Sequence, residues 1–259
     1  MGRLALPVPF LGFLRLAKSR WQRARYHEHI VSHDYAGFPL SLCVADSMAA
    51  EWYDRGWPMP PEIAILSESK LRPGARVFDA GAHQGLVAML LARVVGLGGR
   101  VIAVEASARN VEIARKNCLL NDISNVEIVH AAVGESPGRL RFTPTINGQV
   151  ADRREWATVE VPATTVDALA DRYGIPDVLF VDVEGYEAHV LRGSRESLAN
   201  GPDCFVEVHV GCGLEKFGGS LELLMSCFPA GYDFQCLDPE SGVQTTDLDR
   251  RFFLIASRH

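Results

Sequence analysis

At 259 residues, 47% of them hydrophobic and 22% charged, the chain can bury one substantial core, and a single domain with an N-terminal extension is the economical organisation. A formal net charge of −6 excludes a whole-molecule electrostatic footprint for nucleic acid, so no nucleic-acid partner is expected. The six cysteines (Cys43, Cys118, Cys204, Cys212, Cys227 and Cys236) contain no Cys-x-x-Cys pair and no zinc spacing, and free thiols in a reducing, cytoplasmic setting account for them.

In chain order, residues 4–16 are apolar but broken by Pro7, Pro9 and Gly12, and Arg15, Lys18, Arg20, Arg23 and Arg25 follow the apolar part. A secretory signal places its charge first, and a spanning helix needs about 20 apolar residues, so neither pattern fits. Phe10, Phe13, Leu14, Ala17 and Trp21 fall at helical spacing. That predicts a basic amphipathic helix over 9–26, packed on its own domain as a lid or lying peripherally on a membrane surface. Residues 39–68 read as a helix, a turn and a second helix. The segment 1–70 is therefore expected to be a helical extension or lid, and 71–259 the main domain.

From residue 71 the pattern alternates. Arg76 to Ala80 reads as a strand, Leu86 to Val95 as an apolar helix, Arg100 to Glu105 as a second strand and Ala108 to Leu120 as a helix. A third strand is expected over 126–133, short strands at 140–142 and 158–161, a helix over 165–173 and a fourth strand over 178–183. A broken helical stretch at 188–198, a fifth strand at 205–208 and a helix at 220–227 follow, with 232–237 and 252–256 pairing as a closing hairpin. Alternating β and α units predict an α/β domain with a doubly wound, mostly parallel sheet whose ligands sit at the carboxyl ends of the strands.

The most informative stretch is Val77-Phe78-Asp79-Ala80-Gly81-Ala82-His83-Gln84-Gly85, a strand running into a glycine turn with a carboxylate at the strand's end. A dinucleotide fingerprint would need glycines at 79, 81 and 84, where this chain has Asp79, Gly81 and Gln84. Asp79 would repel a pyrophosphate and attract an amino group, which favours S-adenosyl-L-methionine over a nicotinamide cofactor. Gly81, His83, Gln84 and Gly85 form the turn expected against that cofactor. Glu105, twenty-six residues after Asp79, can accept the hydroxyls of a ribose. Ala131 is small enough for its backbone to approach an adenine edge.

Two further strand ends, Val181-Asp182-Val183-Glu184-Gly185 and Val206-Glu207-Val208-His209, carry ionisable groups at alternate positions, which share a face. His209 is the first candidate for a general base, because imidazole titrates near neutrality. Asp182 is the second, with a place in the cofactor site as well, and Glu184 a candidate to orient the acceptor. Asp182, Glu184, Glu207 and His209 could also hold a divalent metal such as magnesium or manganese, but no established ligand spacing favours it. The competing readings are a nicotinamide-dependent oxidoreductase and a non-catalytic binding module on the same fold.

These residues carry a resemblance. The segments 79–85, Val104-Glu105, Asn117-Cys118-Leu119-Leu120-Asn121, Ala132-Val133-Gly134, Thr164-Thr165-Val166-Asp167, Asp182-Val183-Glu184-Gly185-Tyr186-Glu187 and Glu207-Val208-His209 resemble the FkbM family of S-adenosylmethionine-dependent methyltransferases. The resemblance covers residues 71 to 209. It implies the Rossmann-like class I methyltransferase fold, a seven-stranded, mostly parallel sheet with an antiparallel last strand. It also implies O-methylation of a small-molecule or carbohydrate acceptor such as a sugar, glycan or natural product. His83 departs from the Asn common at that position in the family.

Overall fold

The computed structural model describes residues 26–143, 149–151 and 158–258. The amphipathic helix expected over 9–26 lies outside them apart from Tyr26. The chain first forms β1 (His29–Tyr35) and β2 (Phe38–Val44), then the helices Ser47–Tyr53 and Pro61–Ser67. There follow β3 (Arg76–Ala80), the helix Leu86–Val95, β4 (Arg100–Glu105), the helix Ala108–Leu120, β5 (Val126–His130), β6 (Ala132–Val133), β7 (Gly138–Thr143), β8 (Gln149–Val150) and β9 (Val159–Thr164). The helix Val166–Tyr173 leads to β10 (Val178–Val181), the helices Glu187–Arg192 and Arg195–Ala199, β11 (Asp203–Val208), the helix Leu221–Met225, β12 (Asp233–Leu237) and β13 (Phe252–Ser257).

The main sheet has seven strands in the order β12-β13-β11-β10-β3-β4-β5. Pairing is parallel from β11 through β10, β3 and β4 to β5, while β13 runs antiparallel to both β11 and β12. Strands buried on both faces read as continuous apolar runs, as in Val178–Val181, where all four residues are buried. Alternate residues serve opposite faces: Val77, Val101 and Val178 enter one apolar cluster with the helix Leu86–Val95, whereas Phe78, Ile102 and Leu179 enter another with Leu169, Val190 and Leu191. Order reverses where β3 and β10 lie side by side, and a crevice opens at their carboxyl ends.

Two expectations need correction. The segment 1–70 is not wholly helical: residues 29–44 form an antiparallel hairpin around Ala36 and Gly37, both at positive φ. The apolar alternation there is masked by exposed polar residues between Val31 and Tyr35. Nor is 126–133 one strand. The chain leaves the main sheet at Ala131, and Ala132–Val133 pair with β9 in a separate four-stranded sheet of order β6-β9-β7-β8.

The hairpin is tied into the main domain. Asn117 accepts the Cys43 N–H at 2.7 Å and donates to Gln84 O at 2.9 Å, and Asn121 both accepts from Ser41 N at 2.8 Å and donates to Ser41 O at 2.7 Å. Val31, Tyr35, Leu40 and Leu42 share one core with Met89 and Leu90. No helix among the described residues is long and apolar enough to cross a membrane.

Candidate active site

A cleft of about 640 Å³, its open mouth included, lies over the carboxyl ends of β3, β4 and β10, a size suited to a small molecule. Of the residues singled out in the sequence, Gly81, His83, Glu105, Ala131, Asp182 and Glu184 are brought together in its lining. Its wall is completed by Trp52, Phe142, Val150 and Tyr186, from segments to which the sequence assigned no firm site role. No residue of 211–219 is in its lining. His83 and Glu184 have left-handed backbones, at φ +47° and +54°. Such strain persists at non-glycine residues only where the surroundings enforce it.

The glycine turn is fixed by backbone contacts. Gly81 N and Ala82 N donate to Val104 O at 2.9 and 3.1 Å. A Cβ on Gly81, whose φ is +101°, would stand 1.7 Å from the Asp182 carbonyl oxygen. Glycine is therefore required where the ends of β3 and β10 meet. Tyr53 shares a 2.7 Å hydrogen bond with His83 Nδ1, and Trp52 lies against the same ring. Helix Ser47–Tyr53 thus supports the turn.

Glu105 is 7% exposed and accepts from His83 N at 2.9 Å and Ser107 N at 2.7 Å. Burial pushes its carboxyl up to about 7 against the lowering effect of these donors. Asp79 is sealed behind the turn at 4% exposure, outside the cleft lining, and its Oδ2 has no hydrogen-bond partner. Burial, then the neighbouring Glu105 charge, raises it to about 7. A buried carboxylate oxygen left without a donor is costly unless a ligand supplies one.

Two sequence candidates face elsewhere. Gln84 is buried and donates to Asp46 Oδ2 at 2.9 Å, so its amide braces the cap of helix Ser47–Tyr53. Gly85 caps the helix Leu86–Val95 in a left-handed conformation, and a Cβ there would lie 3.0 Å from Ala114 Cβ. Its smallness serves helix packing, not cofactor approach.

His209 is 5% exposed and lies beneath the cleft. Its Nδ1 meets Glu187 Oε1 at 2.8 Å, and its Nε2 stands 3.6 Å from Glu184 Oε2, 3.7 Å from Glu207 Oε1 and 3.9 Å from Asp182 Oδ1. Burial works to lower its proton affinity, but the Glu187 hydrogen bond and the surrounding carboxylates prevail and raise it to about 9. With Nδ1 held by Glu187, the ring lies outside the cleft lining, away from the place expected of a base that meets the acceptor. Asp182 exposes 46% of its side chain, yet its Oδ1 is buried without a hydrogen-bond partner. Burial of that edge, then Glu207 and Glu184, raises its pKa well above the ordinary value. Glu187, fully buried, also accepts from Gly185 N at 2.6 Å. The sequence offered it only as a motif letter, because its partner His209 is twenty-two positions away. Gly185 packs so closely on the loop after His209 that a Cβ would fall 2.4 Å from Gly213 C.

The strand order, with an antiparallel strand next to the last parallel one and a cleft over the ends of its central strands, defines the class I S-adenosylmethionine-dependent methyltransferase fold. A family model described as the methyltransferase FkbM domain matches residues 79–226, more than half of the chain, and the chain belongs to that family. A "Probable cobalt-precorrin-6B C(15)-methyltransferase (decarboxylating)" of Sulfolobus acidocaldarius is 37% identical over 83 residues, 31% of this chain and 42% of that protein. A protein-L-isoaspartate O-methyltransferase of Methanococcoides burtonii is 31% identical over 91 residues, 35% of this chain and 45% of that protein. The chain therefore spans less than half the length of these curated relatives. A solved SAM-dependent O-methyltransferase from Thermotoga maritima aligns over 89% of this chain and 77% of its own, at TM-score 0.50 and 14% identity, and shares the fold.

Proposed function

We propose that this protein is an S-adenosylmethionine-dependent methyltransferase acting on a hydroxyl oxygen of a small-molecule or carbohydrate acceptor. The observation that carries the reading is the sealed Asp79 carboxylate, with Oδ2 unpartnered, directly behind a glycine turn that opens on the cleft. The residues present fit the cofactor. Asp79 supplies an acceptor for an ammonium group, Glu105 acceptors for ribose hydroxyls, and Ala131 a small surface for a planar base. Bound S-adenosylmethionine supplies an electrophilic methyl on a sulfonium, which becomes a neutral thioether as the methyl passes to oxygen.

The chain's own work is to hold the acceptor oxygen in line and to receive its proton. Besides Glu105, Asp182 and Glu184 are carboxylates lining the cleft. The raised proton affinity of Asp182 suits it to take the hydroxyl proton as the O–CH3 bond forms. His209, held by Glu187, positions those carboxylates. Trp52, Phe142 and Tyr186 close the wall and exclude water. The cytoplasm fits the free thiols.

The test is calorimetric titration with S-adenosylmethionine and S-adenosylhomocysteine, with NAD as control, followed by methyl transfer to a panel of hydroxylated acceptors. Binding of the first two alone, lost in Asp79→Asn, supports the reading. Binding of NAD alone, or of none, overturns it.

A further inference from the structure

We propose that Asp182, Glu207 and His209 form a binding site for one divalent transition cation of the manganese type, beneath the acceptor side of the cleft. Asp182 Oδ1, a Glu207 oxygen and a His209 nitrogen all lie within 4.8 Å of one another. Two ligands each about 2.1 Å from a shared ion stand up to about 4.2 Å apart. Rotamer adjustments of a few tenths of an ångström therefore close the set.

The His209 ring provides the independent observation. Its side chain is 6% exposed, its Nδ1 is committed to Glu187, and its Nε2 is aimed at carboxylate oxygens 3.6 to 3.9 Å away. Those separations are too long for hydrogen bonds and suit ligands arranged around a common centre. Glu187 completes the arrangement in which a buried carboxylate fixes the tautomer of a ligating imidazole and leaves its other nitrogen free for metal. Asp182 Oδ1, buried and without a hydrogen-bond partner, points to the same need for a positive centre. Asp182, Glu184, Glu187 and Glu207 cluster around His209, and the guanidinium of Arg251 meets Glu207 at 3.1 Å. One imidazole with two carboxylates favours manganese over magnesium, because nitrogen is a poor ligand for the harder ion.

The position gives the site a use that rests on the methyltransferase reading. Asp182 borders the cleft, so an ion held there has open coordination positions toward the acceptor and can bind its hydroxyl oxygen. Coordination makes that hydroxyl more acidic; with the ion bound Asp182 serves as a ligand, and the proton passes to Glu184 in the lining instead.

The experiment titrates chelator-stripped protein with Mn²⁺, followed by calorimetry and by loss of the free-ion electron spin resonance signal. S-adenosylmethionine is titrated into the same preparation. Saturable binding of one Mn²⁺ per chain is expected, weakened about tenfold or more in Glu207→Gln and in Glu187→Gln. Electron spin echo spectra of the wild-type complex should show coupling to an imidazole nitrogen, a readout independent of how the variants fold. Absence of saturable Mn²⁺ binding, or bound Mn²⁺ without nitrogen coupling, overturns the site. Cofactor binding without Mn²⁺ binding overturns this inference alone. Mn²⁺ binding without cofactor binding supports the site and overturns the methyltransferase reading.

Discussion

Asp79 and Glu105 are two carboxylates that share one buried corner, and both are raised to about 7 in the folded chain. A carboxyl whose folded pKa is raised holds a proton that the unfolded chain has released, so its effect on stability grows worse as pH rises from the unfolded to the folded value. The cofactor-free protein should lose stability between about pH 4 and 7, by up to about 1.4 kcal/mol per unit for each such group. Asp79→Asn should flatten that slope in pH-dependent thermal melts, and an unchanged slope would assign the titration elsewhere. Binding a cationic cofactor against Asp79 requires the ionised form. Cofactor affinity should therefore fall below about pH 7 and binding there should release a proton, measurable by calorimetry in buffers of different ionisation enthalpy. Glu105→Ala should weaken cofactor binding by about 1.5–3 kcal/mol, the worth of a hydrogen bond to a charged group. At this scale the sequence was legible where chemistry follows a strand end. Gly81, His83, Glu105, Asp182 and Glu184 all reach the cleft. It failed where direction is set by packing, since nothing local reveals that Gln84 turns to Asp46 or that Glu187 claims His209.

Among the elements, the parallel strands and their helices were readable because a strand buried on both faces leaves an unbroken apolar run, as Val178–Val181 does. The hairpin β1–β2 was not, since one face meets solvent and its register is held by side chains from elsewhere. Asn117 of the helix Ala108–Leu120 and Asn121 at its C-terminal cap supply those bonds, which gives these two amides their inward direction. Helix Ser47–Tyr53 depends on Asp46, whose Oδ1 accepts from Met48 N at 3.1 Å and Ala49 N at 2.9 Å while Oδ2 receives Gln84. Asp46→Ala removes a cap worth about 1 kcal/mol and leaves a buried amide unpaired at a further cost of about 1–3 kcal/mol. Urea denaturation should show a loss of about 2–4 kcal/mol, together with weaker cofactor binding, because this helix carries Trp52 and Tyr53 to the turn. A loss below about 0.5 kcal/mol would show that the cap is redundant.

For the whole molecule, all six cysteines are free thiols. Reductant should leave the melting temperature unchanged, and a drop on reduction would reveal cross-links absent from this fold. The close fit at the site extends across the sheet. Gly81→Ala would drive a methyl group into the Asp182 carbonyl, and a destabilisation of about 3 kcal/mol or more is expected in denaturant titration. The same exclusion operates between Gly185 and Gly213, where backbone meets backbone with no room for a side chain on either. Neither position tolerates a side chain, so the loop bearing Glu184 and the loop following His209 are locked together. A change of cleft shape has to come from the far wall instead. Phe142 and Val150, a cross-strand pair of the four-stranded sheet, face the cleft from outside that junction, and their side chains can change as a pair while the backbone beneath stays fixed.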